Sequence, residues 1–151
     1  GPGQSLINPY TGIVSLFARL AKQGQSIPVY EDGQIVRDFV FIDDVASAIV
    51  AGVLHSPATT LPYDIGLGER TTIMQVAQVI AEHYGAPAPH VTGQFRDGDV
   101  RAAWADTTRA RQALDWEPRV GVTEGINRLC DWIDAQEEAV PPAHTGTATE
   151  V

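Results

Sequence analysis

Arg37 is the residue whose chemistry most needs an explanation. It lies in Ile35-Val36-Arg37-Asp38-Phe39-Val40-Phe41-Ile42, a run that is β-branched and aromatic apart from two opposite charges. Such a run reads as a strand, and its second half, residues 39–42, is apolar without a break, as in a strand buried on both faces. A guanidinium leading into a buried core requires an anion. Asp38 is adjacent in sequence, but neighbouring strand residues point to opposite faces, which leaves Arg37 free for another partner. Two readings follow. One is a structural ion pair. The other is a phosphate clamp, because the planar guanidinium fork matches phosphate oxygens two at a time.

Two further places could do chemistry. Arg96-Asp97-Gly98-Asp99-Val100-Arg101 is dense in charge and turn-forming, and by itself reads as a solvated loop. Tyr30 stands directly before Glu31-Asp32-Gly33 and by itself reads as core or edge packing. His55, His83, His90 and His144 lack metal-ligand spacing, so no metal site is expected. Gly66-Leu67-Gly68 has neither the third glycine of a dinucleotide fingerprint nor the acidic residue about 20 positions on.

The elements that must hold these residues alternate between strand and helix, which predicts an α/β fold. A helix is expected over residues 12–23, capped by Thr11 and ended by Gly24, with Ile13, Val14, Leu16, Phe17, Leu20 and Ala21 on one stripe. Residues 26–30 read as a short strand with Pro28 at an edge. Asp43 is the expected cap of the next helix, where Val45, Ala48, Ile49 and Val53 recur at helical spacing. Residues 61–65 read as a strand. Thr72 and Gln75 predict a capping box for a helix running to Gly85. Residues 90–95 are extended. Asp106 or Thr107 caps a short helix to Leu114, and Trp116 is expected in the core. Thr123 begins a last helix with Ile126, Leu129, Cys130 and Ile133 facing inward. The expected organisation is one domain over residues 1–139 and a polar tail over 140–151.

Composition narrows the function classes. The chain has 151 residues, 44% hydrophobic, a net charge of −9 and a pI near 4.7. That balance argues against nucleic acid and anionic membranes as partners. It also means that an anionic ligand must be held by a few placed arginines and not by the overall field. A single cysteine excludes an internal disulfide and a cysteine-rich zinc site. No apolar stretch is long enough for a membrane span and no signal peptide is visible, so a cytoplasmic protein is expected.

Several separated segments together resemble the extended short-chain dehydrogenase/reductase family, the NAD-dependent sugar-nucleotide epimerases and dehydratases. They are Gly1-Pro2-Gly3-Gln4, Asn8-Pro9-Tyr10-Thr11-Gly12, Glu31-Asp32-Gly33 with Arg37-Asp38-Phe39-Val40 and Asp44-Val45-Ala46, Tyr63-Asp64-Ile65-Gly66 with Thr72-Ile73, Arg96 spaced before Gly98-Asp99, and Asp115-Trp116-Glu117-Pro118. In the last of these Asp115 stands where the family has Gly. The resemblance implies the C-terminal, substrate-binding part of a Rossmann-like fold. It implies that Arg37 and Arg96 contact the substrate diphosphate, that Asp99 accepts ribose hydroxyls and that Tyr30 lies near the base. A carboxylate suits a diol because it only accepts hydrogen bonds. The implied ligands are UDP- or dTDP-sugars, and the implied cofactor of the complete enzyme is NAD.

The family's other half has no counterpart in this sequence. Tyr10, Tyr30, Tyr63 and Tyr84 are followed four positions later by Val14, Gln34, Leu67 and Ala88, and Lys22 is the only lysine. No tyrosine therefore has the Tyr-x-x-x-Lys partner that would lower its pKa for proton transfer. A chain like this is expected to bind substrate without turning it over, and no catalytic residue is assigned to it. The expected origins are a piece of an epimerase, a stand-alone nucleoside-diphosphate binding module, or a non-catalytic interaction protein. A homo-oligomer is expected, with the helix of residues 12–23 or the strand of residues 39–42 at its interface.

Overall fold

The computed structural model describes residues 1–5, 12–57, 59 and 61–136. Residues 8–11 of the expected cap segment, His144 and the tail of residues 140–151 lie outside the described residues. In chain order the elements are α1 (Ile13–Lys22), β1 (Pro28–Val29), β2 (Val36–Arg37), α2 (Ile42–His55), β3 (Thr71–Thr72), α3 (Ile73–Tyr84), β4 (His90–Val91), α4 (Thr108–Leu114) and α5 (Val122–Asp134). The class is α/β, as expected from the alternation.

The core forms where α3 packs against α1 and α5. Phe17, Ala18 and Ala21 of α1 meet Val76, Ala77 and Ile80 of α3 and Ile126, Leu129, Cys130 and Ile133 of α5, with Ile27, Val29 and Ile35 beneath them. All four residues expected to face inward on α5 do so. Each fully buried Ile, Leu or Phe here is worth about 1.5–3 kcal/mol relative to exposure. The Thr72–Gln75 capping box is present in both directions, and Gly85 closes α3 in the left-handed conformation. A smaller cluster of Ala48, Ala110, Leu114 and Trp116 joins α2 to α4. Trp116 is buried there, and its indole Nε1 donates to the Asp44 carbonyl at 3.1 Å and to Ser47 Oγ at 2.8 Å.

The strands are shorter than the sequence suggests. β1 pairs in parallel with β4, Pro28 opposite His90 and Val29 opposite Val91. β2 pairs antiparallel with β3, Val36 opposite Thr72 and Arg37 opposite Thr71. Val36 also bridges Ala102 in parallel, so β2 lies between two neighbours. The expected strand over residues 39–42 does not form. With Arg37 opposite Thr71, residues 39–42 would have to pair with the chain ahead of β3, and there it is drawn aside at Leu67 and Gly68 by the Asp38 carboxylate, so β2 has no ladder partner beyond Arg37. Phe39 instead packs against the main core and Phe41 is buried at the N-cap of α2. Residues 39–42 therefore offer no edge strand for self-association.

Two other expectations are corrected. Residues 61–65 form no strand. Pro62 has no amide to donate, and Tyr63 and Ile65 pack against the smaller cluster. Asp43 does not cap α2. The helix starts at Ile42 with Phe41 at its N-cap, two residues earlier than expected, so Asp43 and Asp44 fall in its first turn and Asp44 turns inward. The stripe expected on α2 is also only partly buried. Ala48 is enclosed, whereas Ile49 and Val53 are 63% and 81% exposed. On α1, Phe17 and Ala21 are buried while Ile13 and Leu16 face outward.

Candidate nucleotide site

Two buried or half-buried carboxylates hold the scaffold around β2. Asp38 accepts the backbone amides of Leu67 and Gly68, each at 2.9 Å, and of Ala105 at 3.1 Å. One side chain thus joins three separated segments. Gly66 is required beside it, because a Cβ there would collide with the Asp38 carboxylate and come within 2.7 Å of the Ala105 Cβ. Asp44, in the first turn of α2, acts in the same way and accepts the amides of Arg119 at 2.9 Å and Val120 at 3.0 Å. Buried carboxylates persist when several N–H donors surround them.

Arg37 and Asp38 diverge, as alternation along a strand requires. Arg37 is half-buried on β2, and its Nη1 donates to the carbonyl of Val36 at 2.8 Å. No carboxylate pairs with it among the described residues. The ion-pair reading of Arg37 therefore finds no partner there, and its remaining N–H groups stay available to an anion.

The loop carrying Arg96 and Asp99 returns to β2. It leaves β4 at residues 92–94, where the Glu31 amide donates to the Gln94 carbonyl at 2.7 Å. A turn follows, closed by the Asp99 amide on the Arg96 carbonyl at 3.2 Å, with Gly98 at φ +86°. The loop ends where the Val36 amide donates to the Arg101 carbonyl at 3.0 Å and the Ala103 amide donates to the Val36 carbonyl at 3.1 Å. Arg96 and Asp99 are therefore carried by a loop that ends beside the residue preceding Arg37. No side-chain hydrogen bond or ion pair joins Arg37, Arg96 and Asp99 to one another among the described residues, and all but Arg37 are exposed.

Tyr30 opens onto a shallow groove of about 420 Å³ formed with Thr92, Gly93, Gln94 and Phe95. Tyr30 and Phe95 are 45% and 70% exposed, so two aromatic side chains face solvent at one place. Of the two packing readings of Tyr30, core or edge, its exposure excludes the core. Phe95 does not stand out in the sequence, where a lone aromatic before a charged loop carries no signal.

Arg101 closes the loop against the turn ahead of β2. Its Nη1 and Nη2 lie 2.8 and 2.6 Å from the two carboxylate oxygens of Asp32, and Nη1 is also 2.7 Å from Glu31 Oε2. The guanidinium hydrogen bond holds the Asp32 carboxyl down at about 2, and the two carboxylates in turn raise Arg101.

The Gly-x-Gly spacing of the Gly66-Leu67-Gly68 loop invites comparison with a pyrophosphate loop, and its geometry does not fit one. The Leu67 and Gly68 amides that would have to face a phosphate already donate to Asp38. Among the described residues these amides offer no dinucleotide cradle, and no group of three or more metal-ligating side chains gathers. No helix among them is long and apolar enough to cross a membrane.

Comparison with known proteins places the chain in a family. The family described as GDP-mannose 4,6 dehydratase matches residues 1–129. The chain belongs to the sugar-nucleotide epimerases and dehydratases of the extended short-chain dehydrogenase/reductase family. It is 54% identical over 137 residues to dTDP-L-rhamnose 4-epimerase of Burkholderia thailandensis, covering 91% of this chain and 38% of that protein. It is 35% identical over 122 residues to UDP-glucose 4-epimerase of Mycolicibacterium smegmatis, covering 80% of this chain and 38% of that protein. Its fold superposes on the Thermotoga maritima UDP-glucose 4-epimerase solved with UDP-glucose, with a TM-score of 0.80 at 30% identity, over 89% of this chain and 43% of that one. The Thermus thermophilus UDP-glucose 4-epimerase in complex with NAD gives a TM-score of 0.76 at 30% identity, over 90% of this chain and 44% of that one. The chain spans 38% of the length of each of these two curated relatives.

Proposed function

We propose that this chain is the substrate-binding portion of an NAD-dependent nucleoside-diphosphate-sugar 4-epimerase that takes dTDP- or UDP-hexoses. The observation that carries the reading is Arg37. It is a half-buried guanidinium with no carboxylate partner among the described residues, in a chain 54% identical to a relative named for dTDP-L-rhamnose. In this reading Arg37 and Arg96 neutralise the diphosphate, Asp99 accepts the ribose hydroxyls, and Tyr30 stands against the base. Two forks are needed because a protein of net charge −9 repels a diphosphate at long range and must hold it by local contacts.

Catalysis by this chain alone is not included in the proposal. No Tyr has a Lys four positions on, and the Leu67 and Gly68 amides of the Gly66-Leu67-Gly68 loop are engaged by Asp38. NAD, where the complete enzyme holds it, supplies the acceptor for transient oxidation of a hexose hydroxyl. The residues described here bind and orient the nucleotide.

Calorimetric titration of the purified chain with dTDP and with UDP tests the reading. Binding is expected, with dTDP the first ligand to try. Arg37→Ala or Arg96→Ala should weaken it by about 1.5–3 kcal/mol, the usual worth of a hydrogen bond to a charged group. Unchanged affinity in both variants would remove their assigned role.

A further inference from the structure

The loop of residues 94–101 is tied at its ends and unsupported between them. The Glu31–Gln94 and Val36–Arg101 backbone bonds fix where it leaves and returns. Residues 93–101 are all exposed, and the internal bond from the Asp99 amide to the Arg96 carbonyl closes only a turn. Its large apolar side chains, Phe95 and Val100, are 70% and 59% exposed. Yet it carries Phe95, Arg96 and Asp99, and a diphosphate or a diol is recognised only by groups held at fixed separations.

The side chain of Arg101 supplies the missing constraint. It makes three charge-assisted hydrogen bonds, two with the Asp32 carboxylate and one with Glu31, across 69 and 70 positions of sequence. Glu31 is one of two non-glycine residues with positive φ among the described residues, at +52°. A side chain kept in that sparsely populated region requires surrounding bonds to hold it, and here its amide, through Gln94, and its carboxylate, through Arg101, both grip the same loop. Exposed ion pairs add little to global stability. A two-pronged pair joined to a second carboxylate instead fixes direction as well as distance.

We propose that Arg101 is a positioning residue that, with Glu31 and Asp32, latches the loop of residues 94–101 onto the turn beside Tyr30, presetting Phe95, Arg96 and Asp99 for a nucleoside diphosphate. The proposal rests on the nucleotide-binding reading above and adds to it a residue that acts without touching the ligand.

Two readouts on the whole chain test it, hydrogen exchange at the bonded amides that tie and close the loop, those of Glu31, Val36, Asp99 and Ala103, and calorimetric titration with dTDP and UDP. Arg101→Ala should speed exchange at those amides by about tenfold while leaving the amides of α3 and α5 protected, and should weaken nucleotide binding by about tenfold through lost preorganisation. Arg101→Lys, which keeps the charge but not the fork, should fall between. Added salt should speed loop exchange in the parent chain and leave Arg101→Ala unchanged, a response that a purely packing role would not give. Unchanged loop exchange in Arg101→Ala overturns the latch whatever the nucleotide does. Faster exchange with unaltered affinity overturns its role in binding. A parent chain that binds neither nucleotide overturns the diphosphate reading, and the assignment of a ligand to the latch falls with it, while the exchange data still decide whether Arg101 orders the loop.

Discussion

Arg101 spans 69 positions of chain to meet Asp32 with both terminal nitrogens, at 2.8 and 2.6 Å from the two carboxylate oxygens. The pair joins the turn before β2 to the loop after β4, and those two segments carry three of the four residues assigned to ligand binding. Its first consequence is electrostatic. The Arg101 hydrogen bond lowers the Asp32 carboxyl from 3.8 to about 2. A depressed folded-state carboxyl contributes stability that is present above the unfolded value and is lost as pH falls through the folded one. The tie should therefore be intact above pH 3.8 and release as pH falls toward about 2. Side-chain carboxyl resonances followed by NMR should show Asp32 titrating near 2, and Arg101→Ala should return it toward 3.8. A midpoint near 3.8 in the parent chain would contradict the observed pairing.

Asp38 should matter to stability more than to ligand affinity. Removing its carboxylate leaves the Leu67, Gly68 and Ala105 amides without their acceptor. Unsatisfied buried donors cost about 1–3 kcal/mol each, and partial access to water reduces that figure here. Asp38→Ala is expected to lower unfolding free energy by about 2–4 kcal/mol in urea denaturation, and Asp38→Asn by less, since one acceptor oxygen remains. Gly66→Ala should be destabilising for the same reason, because its Cβ intrudes on the carboxylate. A parent-like urea midpoint for Asp38→Ala would show that the three amides find water without cost.

Cys130 should be inert and should make the protein alkali-sensitive. Burial pushes its thiol up to about 11 from 9.0, and the nearby Asp134 and Asp131 add to the rise against an opposing hydrogen bond from Tyr84. Burial likewise raises the Tyr84 hydroxyl, which donates to the Cys130 carbonyl at 3.3 Å and to Asp134 Oδ1 at 3.2 Å. Groups held protonated in the folded state contribute stability that is full below the unfolded value and declines as pH rises toward the folded one. Urea midpoints should thus fall as pH climbs from 9 toward about 11, and Cys130→Ala should flatten some of that fall. Rapid modification of the native thiol by a disulfide reagent at neutral pH would contradict its burial.

The helices were legible because their signals are local. The Thr72–Gln75 box, the Gly85 stop and the inward face of α5 each depend on residues within a few positions of one another. The strands were not, because ladder length depends on a partner. Residues 39–42 have the composition of an interior strand, but Asp38 draws away, at Leu67 and Gly68, the chain ahead of β3 that would have to pair with them. The apolar positions Ile49 and Val53 of α2 follow helical spacing without being buried, since periodicity states which residues share a face and not what covers that face. At the site, Arg37 stood out in sequence because a charge in a strand demands a partner. Asp38, Asp44 and Phe95 did not. The amides that the two carboxylates hold lie 29 to 76 positions away, and Phe95 lines a groove made by the fold.

Tyr30, Arg37, Arg96 and Asp99 are assigned together to one site for a nucleoside diphosphate. Amide-detected NMR of the isotopically labelled chain during titration with dTDP tests that assignment most directly. The expected result is saturable shifts confined to the turn at Tyr30, to β2 at Arg37 and to the loop of residues 94–101, lost together in the Arg37→Ala, Arg96→Ala double variant. Saturable shifts clustered elsewhere, or no shift at these residues at saturating nucleotide, would contradict it.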